Sequence, residues 1–121
     1  MNNELSKAGS SDLQRWLDRA EVLRDTVAQL RKDLGLEEIG LPEPEVGEEA
    51  FEELRVHVLP RLQELEAQGE SVLRAAMYRV DIPEGHYHRT LAAGGLNDLA
   101  GECVLRALQK VLTRMRYAGR F

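Results

Sequence analysis

Residues 96–115, LNDLAGECVLRALQKVLTRM, decide the fold. Apolar side chains fall at Leu96, Leu99, Ala100, Cys103, Val104, Ala107, Leu108, Val111, Leu112 and Met115. The spacing i, i+3, i+4, i+7, i+8 recurs without a slip, which lays a wide apolar stripe along one face of a helix. Arg106, Lys110 and Arg114 stack four residues apart on the opposite side. One helix therefore offers a core face and a basic ridge, and the rest of the chain has to supply the other walls of that core.

Working outward, Gly94-Gly95 just before this helix permits a sharp reversal, with Asn97 or Asp98 placed to cap the helix that follows. A short helix precedes the glycines. It opens at Asp81-Ile-Pro-Glu84, where Asp81 can cap, Pro83 suits a first turn and Glu84 can close a capping box. Ser71 to Val80 reads as a further helix with Val72, Leu73, Ala76, Met77 and Val80 inward. Before it, Glu48 to Gln68 forms a helix ending at Gly69, with a core side of Phe51, Leu54, Val58, Leu62 and Leu65. Pro60 forfeits the hydrogen bond to Val56 and predicts a kink or short break there. Val56 and Leu59 lie off the main stripe, as if the helix were wrapped on more than one side.

At the other end, Ser11-Asp-Leu-Gln14 reads as a capping box that starts a helix running to Leu34 and stopping at Gly35. Its apolar positions, Leu13, Trp16, Ala20, Leu23, Val27, Leu30 and Leu34, alternate three and four apart and form a heptad seam. At 1.5 Å per residue such a helix is about 35 Å long and needs a long partner. That partner is a helix of the same chain or a second copy of it. The stretch 35–47 is a loop, broken by Pro42 and Pro44, with Ile39, Leu41 and Val46 holding it to the body. Residues 1–10 are small and polar and read as a disordered lead-in, leaving one helical domain over 11–121. The fold class is all-α, a compact bundle of four to five helices with a long N-terminal and a long C-terminal helix.

The totals agree with that class. A chain of 121 residues with 43% hydrophobic but only 5% aromatic content must build its core from Leu, Val and Ala, which favours helices over sheets. The net charge of −5 opposes general nucleic-acid binding, because acid repels phosphate. Its distribution says more. Glu37 to Leu54 holds eight glutamates and no Lys or Arg, whereas Cys103 to Phe121 holds five basic residues and no acid. A single cysteine excludes an intrachain disulfide and fits a reducing compartment. The start of the chain lacks the basic-then-apolar pattern of a signal peptide, and no apolar run approaches the roughly 20 residues of a membrane span. A cytoplasmic location with no membrane contact is the expectation.

Tyr78-Arg-Val-Asp81-Ile-Pro-Glu84, followed by Gln109-Lys-Val111 and Arg114, resembles a group of small uncharacterised bacterial all-helical proteins. Those proteins carry a Y-R-[IV]-D-[IV]-x-E turn and a terminal Q-K-V helix. The resemblance covers roughly 72–117 and implies a cytoplasmic bacterial protein without an assigned activity.

The candidate chemistry is sparse. The ridge of Arg106, Lys110 and Arg114, with Arg116 beyond, is a candidate interaction surface for an acidic protein partner, for the chain's own acidic segment or for nucleic acid. The helix dipole also favours cations in these last turns, and Glu102 to Arg106 is a favourable i,i+4 pair, so a solvated structural face explains them too. Tyr78, Arg79, Asp81 and Glu84 are candidate turn or pocket residues, with His86 and His88 nearby. On a helix His86 and His88 point about 200° apart and cannot share an ion, and Cys103 lies within an apolar stripe as a small buried thiol. Walker, dinucleotide, HExxH and GxSxG motifs do not occur. The expected function is a non-enzymatic protein–protein interaction module, without cofactor or metal, that binds another protein or a second copy of itself. In the homodimer, the acidic segment of one copy would meet the basic ridge of the other. The alternative is a nucleic-acid-binding regulator using the basic C-terminal helix.

Overall fold

Three helices stop in the same way, with one residue in the left-handed conformation and the next amide reaching back five residues. A computed structural model describes residues 12–120, and every regular element among them is helical. Helix α1 (Ala20–Leu34) ends on Gly35 at φ 65°, with the Leu36 amide donating to the Arg31 carbonyl at 2.9 Å. Helix α2 (Ala50–Gln68) ends at Gly69, and α3 (Glu70–Val80) ends on Asp81 at φ 74° with the Ile82 amide on the Met77 carbonyl at 3.0 Å. The last element, α4 (Glu84–Tyr117), ends before Gly119 at φ 71°, with the Arg120 amide on the Met115 carbonyl at 2.9 Å. This pairing satisfies carbonyls that would otherwise face nothing.

Asp81 therefore does not cap the helix that follows it. It terminates the helix before it, in a conformation that Asp tolerates better than most residues. Pro83 takes the N-cap position of α4, with no side-chain cap hydrogen bond. Buried Ile82 supplies the apolar contact that accompanies such a termination.

The reversal expected at the glycine pair is present. Gly95 has φ 69° and ψ −163°, a backbone region that essentially only glycine occupies, and it divides α4 into a short arm (84–94) and a long arm (96–117). In a straight helix His86 and Glu102 would stand about 24 Å apart along the axis. Their side chains instead meet at 2.7 Å, so the chain doubles back at Gly95. Asn97 takes a hydrogen bond from Arg55 of α2 rather than serving visibly as a cap.

The long arm buries Leu99, Ala100, Cys103, Val104, Ala107, Leu108, Val111 and Met115, with Leu96 and Leu112 half-buried at the edges. It packs most extensively on α2 and α1, whose inward residues include Leu54, Val58 and Leu62, and Leu23, Val27 and Leu30. Gly101 lies against α2, and a Cβ there would meet Arg55 Cδ at 3.6 Å and Phe51 Cζ at 3.9 Å, ordinary contact distances. Gly101→Ala should accordingly stabilise the fold by about 0.5–1 kcal/mol through lower unfolded-chain entropy. A thermal melt should show the midpoint rise by about 2–5 °C.

Expectations for the first two helices are also corrected. The continuous helix from 11 to 34 is broken: Arg15–Asp18 is a 3₁₀ turn and Arg19 is extended at φ −99°, ψ 122°. In an unbroken helix Leu17 would point roughly 100° away from the seam. The break brings Leu17 fully into the core and leaves Ala20 exposed, exchanging a methyl for a larger apolar side chain. Arg19 then lies over the Trp16 ring, 4.9 Å from its centroid. The Ser11 cap and the lead-in over 1–10 lie outside the described residues. Of the kink or short break expected at Pro60, the break is absent, since α2 is continuous through it. Both Pro60 and Val56 are exposed, which puts the freed Val56 carbonyl on the exposed side of the helix, while Leu59 is half-buried against the core.

Candidate interaction surfaces

The basic ridge is built on the long arm, and what it faces is α1. Helix α1 carries Glu21, Asp25, Gln29 and Asp33 at four-residue steps, a single stripe along one face. The two helices run antiparallel, so numbers rise on one as they fall on the other. Lys110 Nζ donates to Asp33 Oδ2 at 2.8 Å, Arg114 Nη1 to Gln29 Oε1 at 2.6 Å, and Arg120 pairs with Glu21 and lies 3.7 Å from Asp25. Arg106 completes the row on the α3–α4 turn, with Nη2 on Asp81 Oδ2 at 2.5 Å and Nε on the Asp81 carbonyl at 3.0 Å. The Arg106 hydrogen bond, more than its charge at a distance, holds the Asp81 carboxyl below the ordinary range, and Arg120 does the same for Glu21.

Asp33 is the centre of this seam and is only 6% exposed. Burying a carboxylate costs several kcal/mol unless its oxygens are matched. Here Lys110 supplies the charge, and Gln29 Nε2 donates to Oδ1 and Oδ2 at 3.1 and 3.0 Å. Lys110 also donates to the Arg79 carbonyl at 3.0 Å, while Arg79 Nε donates to the Asp33 carbonyl at 3.1 Å. Arg61 Nε reaches the Leu34 carbonyl at 2.8 Å. The C-terminus of α1, where the helix dipole is negative, is thus closed by guanidinium groups from α2 and α3.

Tyr78, Arg79, Asp81 and Glu84 do not converge on one site. Tyr78 is 80% exposed, Arg79 turns to α1, Asp81 binds Arg106, and Glu84 lies 3.5 Å from His88 on its own helix. The expected Glu102–Arg106 pair is replaced by Glu102–His86, because the reversal at Gly95 delivers the imidazole to that carboxylate. His57 Nδ1 contacts the Glu53 carbonyl at 2.9 Å rather than its carboxylate. Among the described residues no three His, Cys, Asp or Glu side chains gather as metal ligands, and no helix is long and apolar enough to cross a membrane.

Cys103 is fully buried, its thiol donating to Met77 Sδ at 3.8 Å, and burial pushes its pKa far up. With so little thiolate present, the native protein should not react with a disulfide-exchange reagent at pH 8, and modification should follow unfolding. A stoichiometric reaction within minutes in native buffer would contradict that packing.

The segment from Glu37 to Glu53 is the other charged surface. Arg31 grips the Leu41 carbonyl with Nε at 3.0 Å and Nη2 at 2.9 Å, and Leu41 itself is fully buried. The loop is therefore pinned at one point while Ile39 projects beside it at 94% exposure. Val46 in the same stretch is about half-exposed, as is Val56 on α2 just beyond it. Sequence reasoning expected Ile39 and Val46 to hold the loop down, but Leu41 alone of the three is buried. Glu52 pairs with Arg55; among the described residues Glu37, Glu38, Glu43, Glu45, Glu48, Glu49 and Glu53 make no side-chain ion pair.

These features define a small all-helical bundle in which Arg106, Lys110 and Arg120 are ion-paired internally, Arg116 of the candidate surface is exposed without an ion pair among the described residues, and the acidic strap is pinned at Leu41. Compared with known proteins, the chain matches no family, no curated protein and no solved structure.

Proposed function

We propose that the chain is a non-enzymatic protein-interaction module that docks a basic protein surface through its acidic strap and the start of α2. The observation that carries this reading is the asymmetry of charge matching. Arg106, Lys110 and Arg120 are paired with Asp81, Asp33 and Glu21, and Arg114 with neutral Gln29, leaving exposed Arg116 of the ridge without an ion pair, while among the described residues the glutamates of 37–49 make no ion pair. Exposed Ile39 and Val46 lie in the strap itself and add apolar contact to its charge, the combination of anchor and charged rim that protein interfaces use. A reciprocal homodimer of strap on ridge would have to displace the ridge's own partners, so a different, basic chain fits better. The same engagement weighs against the nucleic-acid reading, in which those cations would have to meet phosphate. A cytoplasmic setting accords with the single buried thiol.

The test is affinity capture from the native cell extract with the intact protein and with a variant carrying Ile39→Asp and Glu37, Glu38, Glu43 and Glu45→Gln. These side chains are exposed, so the helical melt should be unchanged. Basic partners should be captured at low salt by the intact protein, released by salt, and lost with the variant. An identical captured set from both proteins would overturn the reading.

A further inference from the structure

The reversal in α4 demands two glycines, and it demands them only while the helix is folded back. Gly95 holds φ 69° and ψ −163°, angles that residues with a Cβ avoid. A Cβ on Gly94 would land on the Asp98 side chain, 2.8 Å from its Cβ. In a regular helix the Cβ atoms of residues four apart stand about 5–6 Å from each other. Straightened, the same stretch would accept alanine at both positions, and alanine favours a helix over glycine. No proline interrupts 84–117, so a continuous helix of about 51 Å is open to this segment. The register of the folded-back arms points the same way. His86 and Glu102 meet at 2.7 Å, and each lies eight residues from Gly94. Two straight copies of α4 crossing antiparallel at Gly94 would reproduce that register, with the short arm of each on the long arm of the other. Ala92, Ala93, Gly94 and Gly95 sit at the crossing, where small residues let backbones approach closely.

We propose that the Gly94-Gly95 elbow is an exchange hinge, at which two copies of the chain straighten α4 and trade residues 96–117. In the resulting two-fold dimer each long arm packs on α1 and α2 of the partner subunit, and His86 meets Glu102 of the partner subunit. Leu99, Cys103, Val104, Leu108 and Val111 are buried in the same surroundings as in the monomer, so the exchange gives up no core contact. The balance between monomer and dimer is then set by the conformation of the elbow and by protein concentration. Arg31 keeps the acidic strap pinned to α1 in either state, so the exchange is independent of recognition there. The interface is isologous and closes on itself, which stops assembly at two chains.

Size exclusion with light scattering reads this on the full chain. Wild type refolded from urea at micromolar concentration should elute as a 13.7 kDa monomer. Refolded at millimolar concentration, it should also give a species of twice that mass that outlasts dilution, because return requires the long arm to leave the core. Gly94→Ala/Gly95→Ala should raise the dimer-to-monomer ratio by about tenfold or more at equal concentration. With His86→Cys/Glu102→Cys, a short bis-maleimide should link two chains in the dimer and bridge a single chain in the monomer. A dimer whose bridge stays within each chain is a side-by-side association and would overturn the exchange. So would a folded, monomeric Gly94→Ala/Gly95→Ala, or a wild type that refolds only to monomer at every concentration. If the double alanine variant does not fold, the wild-type refolding and its bridge decide alone.

Discussion

Leu108→Asp should leave the chain without a cooperative thermal transition. Leu108 has no solvent exposure and lies near the middle of the long arm, inside the wall shared with α1 and α2. An aspartate there loses the packing of a leucine, about 2–5 kcal/mol, and adds an ionisable group with no partner. The sum approaches the 5–15 kcal/mol that holds a typical domain together. Far-ultraviolet circular dichroism against temperature is the measurement, with Thr113→Asp on the exposed side of the same arm as the comparison. Thr113→Asp should shift stability by no more than about 0.5 kcal/mol. A sharp helical melt retained by Leu108→Asp would mean that this stripe is not the core.

The stripe was legible because periodicity depends only on the order of residues. A helix that must bury one face repeats its apolar positions, and ten such positions in a row leave little room for another reading. The punctuation at Gly35, Gly69 and Gly95 was legible for a related reason, since backbone geometry at these points suits glycine. The failures are equally physical. Nothing at Arg19 marks a break, because it follows from which of Leu17 and Ala20 the core prefers, a choice made by tertiary packing. At Asp81 the letters suit two roles, a cap for the next helix or a left-handed end for the previous one. Arg106, 25 residues further on, is the group that binds its carboxylate.

The surfaces were half legible. Four-residue spacing revealed the ridge, but a ridge does not name what it faces. The complementary signal was present as Glu21, Asp25, Gln29 and Asp33, also at steps of four. Recognising it requires aligning two helices antiparallel, which neither helix specifies alone. The denser glutamates of 37–53 make no ion pair with the ridge among the described residues. Density of charge proved a poor guide to pairing, and periodicity shared between two helices a better one.

Lys110→Met should destabilise the protein by about 3 kcal/mol, although it removes what looks like one surface cation among several. The substitution keeps the apolar stem and deletes the ammonium group, leaving the Asp33 carboxylate, 6% exposed, with only Gln29 as a side-chain donor. Removing one member of a buried pair costs about 3–5 kcal/mol, chiefly through the stranded charge, and the partial exposure of Lys110 places this case at the low end. Arg106→Met breaks a shorter contact, but Asp81 is 65% exposed and can return to water, so its cost should be under about 1 kcal/mol. Adding Asp33→Leu to Lys110→Met should recover much of the loss, because the stranded carboxylate is then gone. Urea unfolding of the three variants beside the unsubstituted protein gives the comparison, with an unchanged slope showing that the same surface is exposed each time. If Lys110→Met cost no more than Arg106→Met, the Asp33 pair would not be the register pin between α1 and the long arm. The ridge would then regain its standing as a free surface, and the reason for assigning recognition to the acidic strap would fall with it.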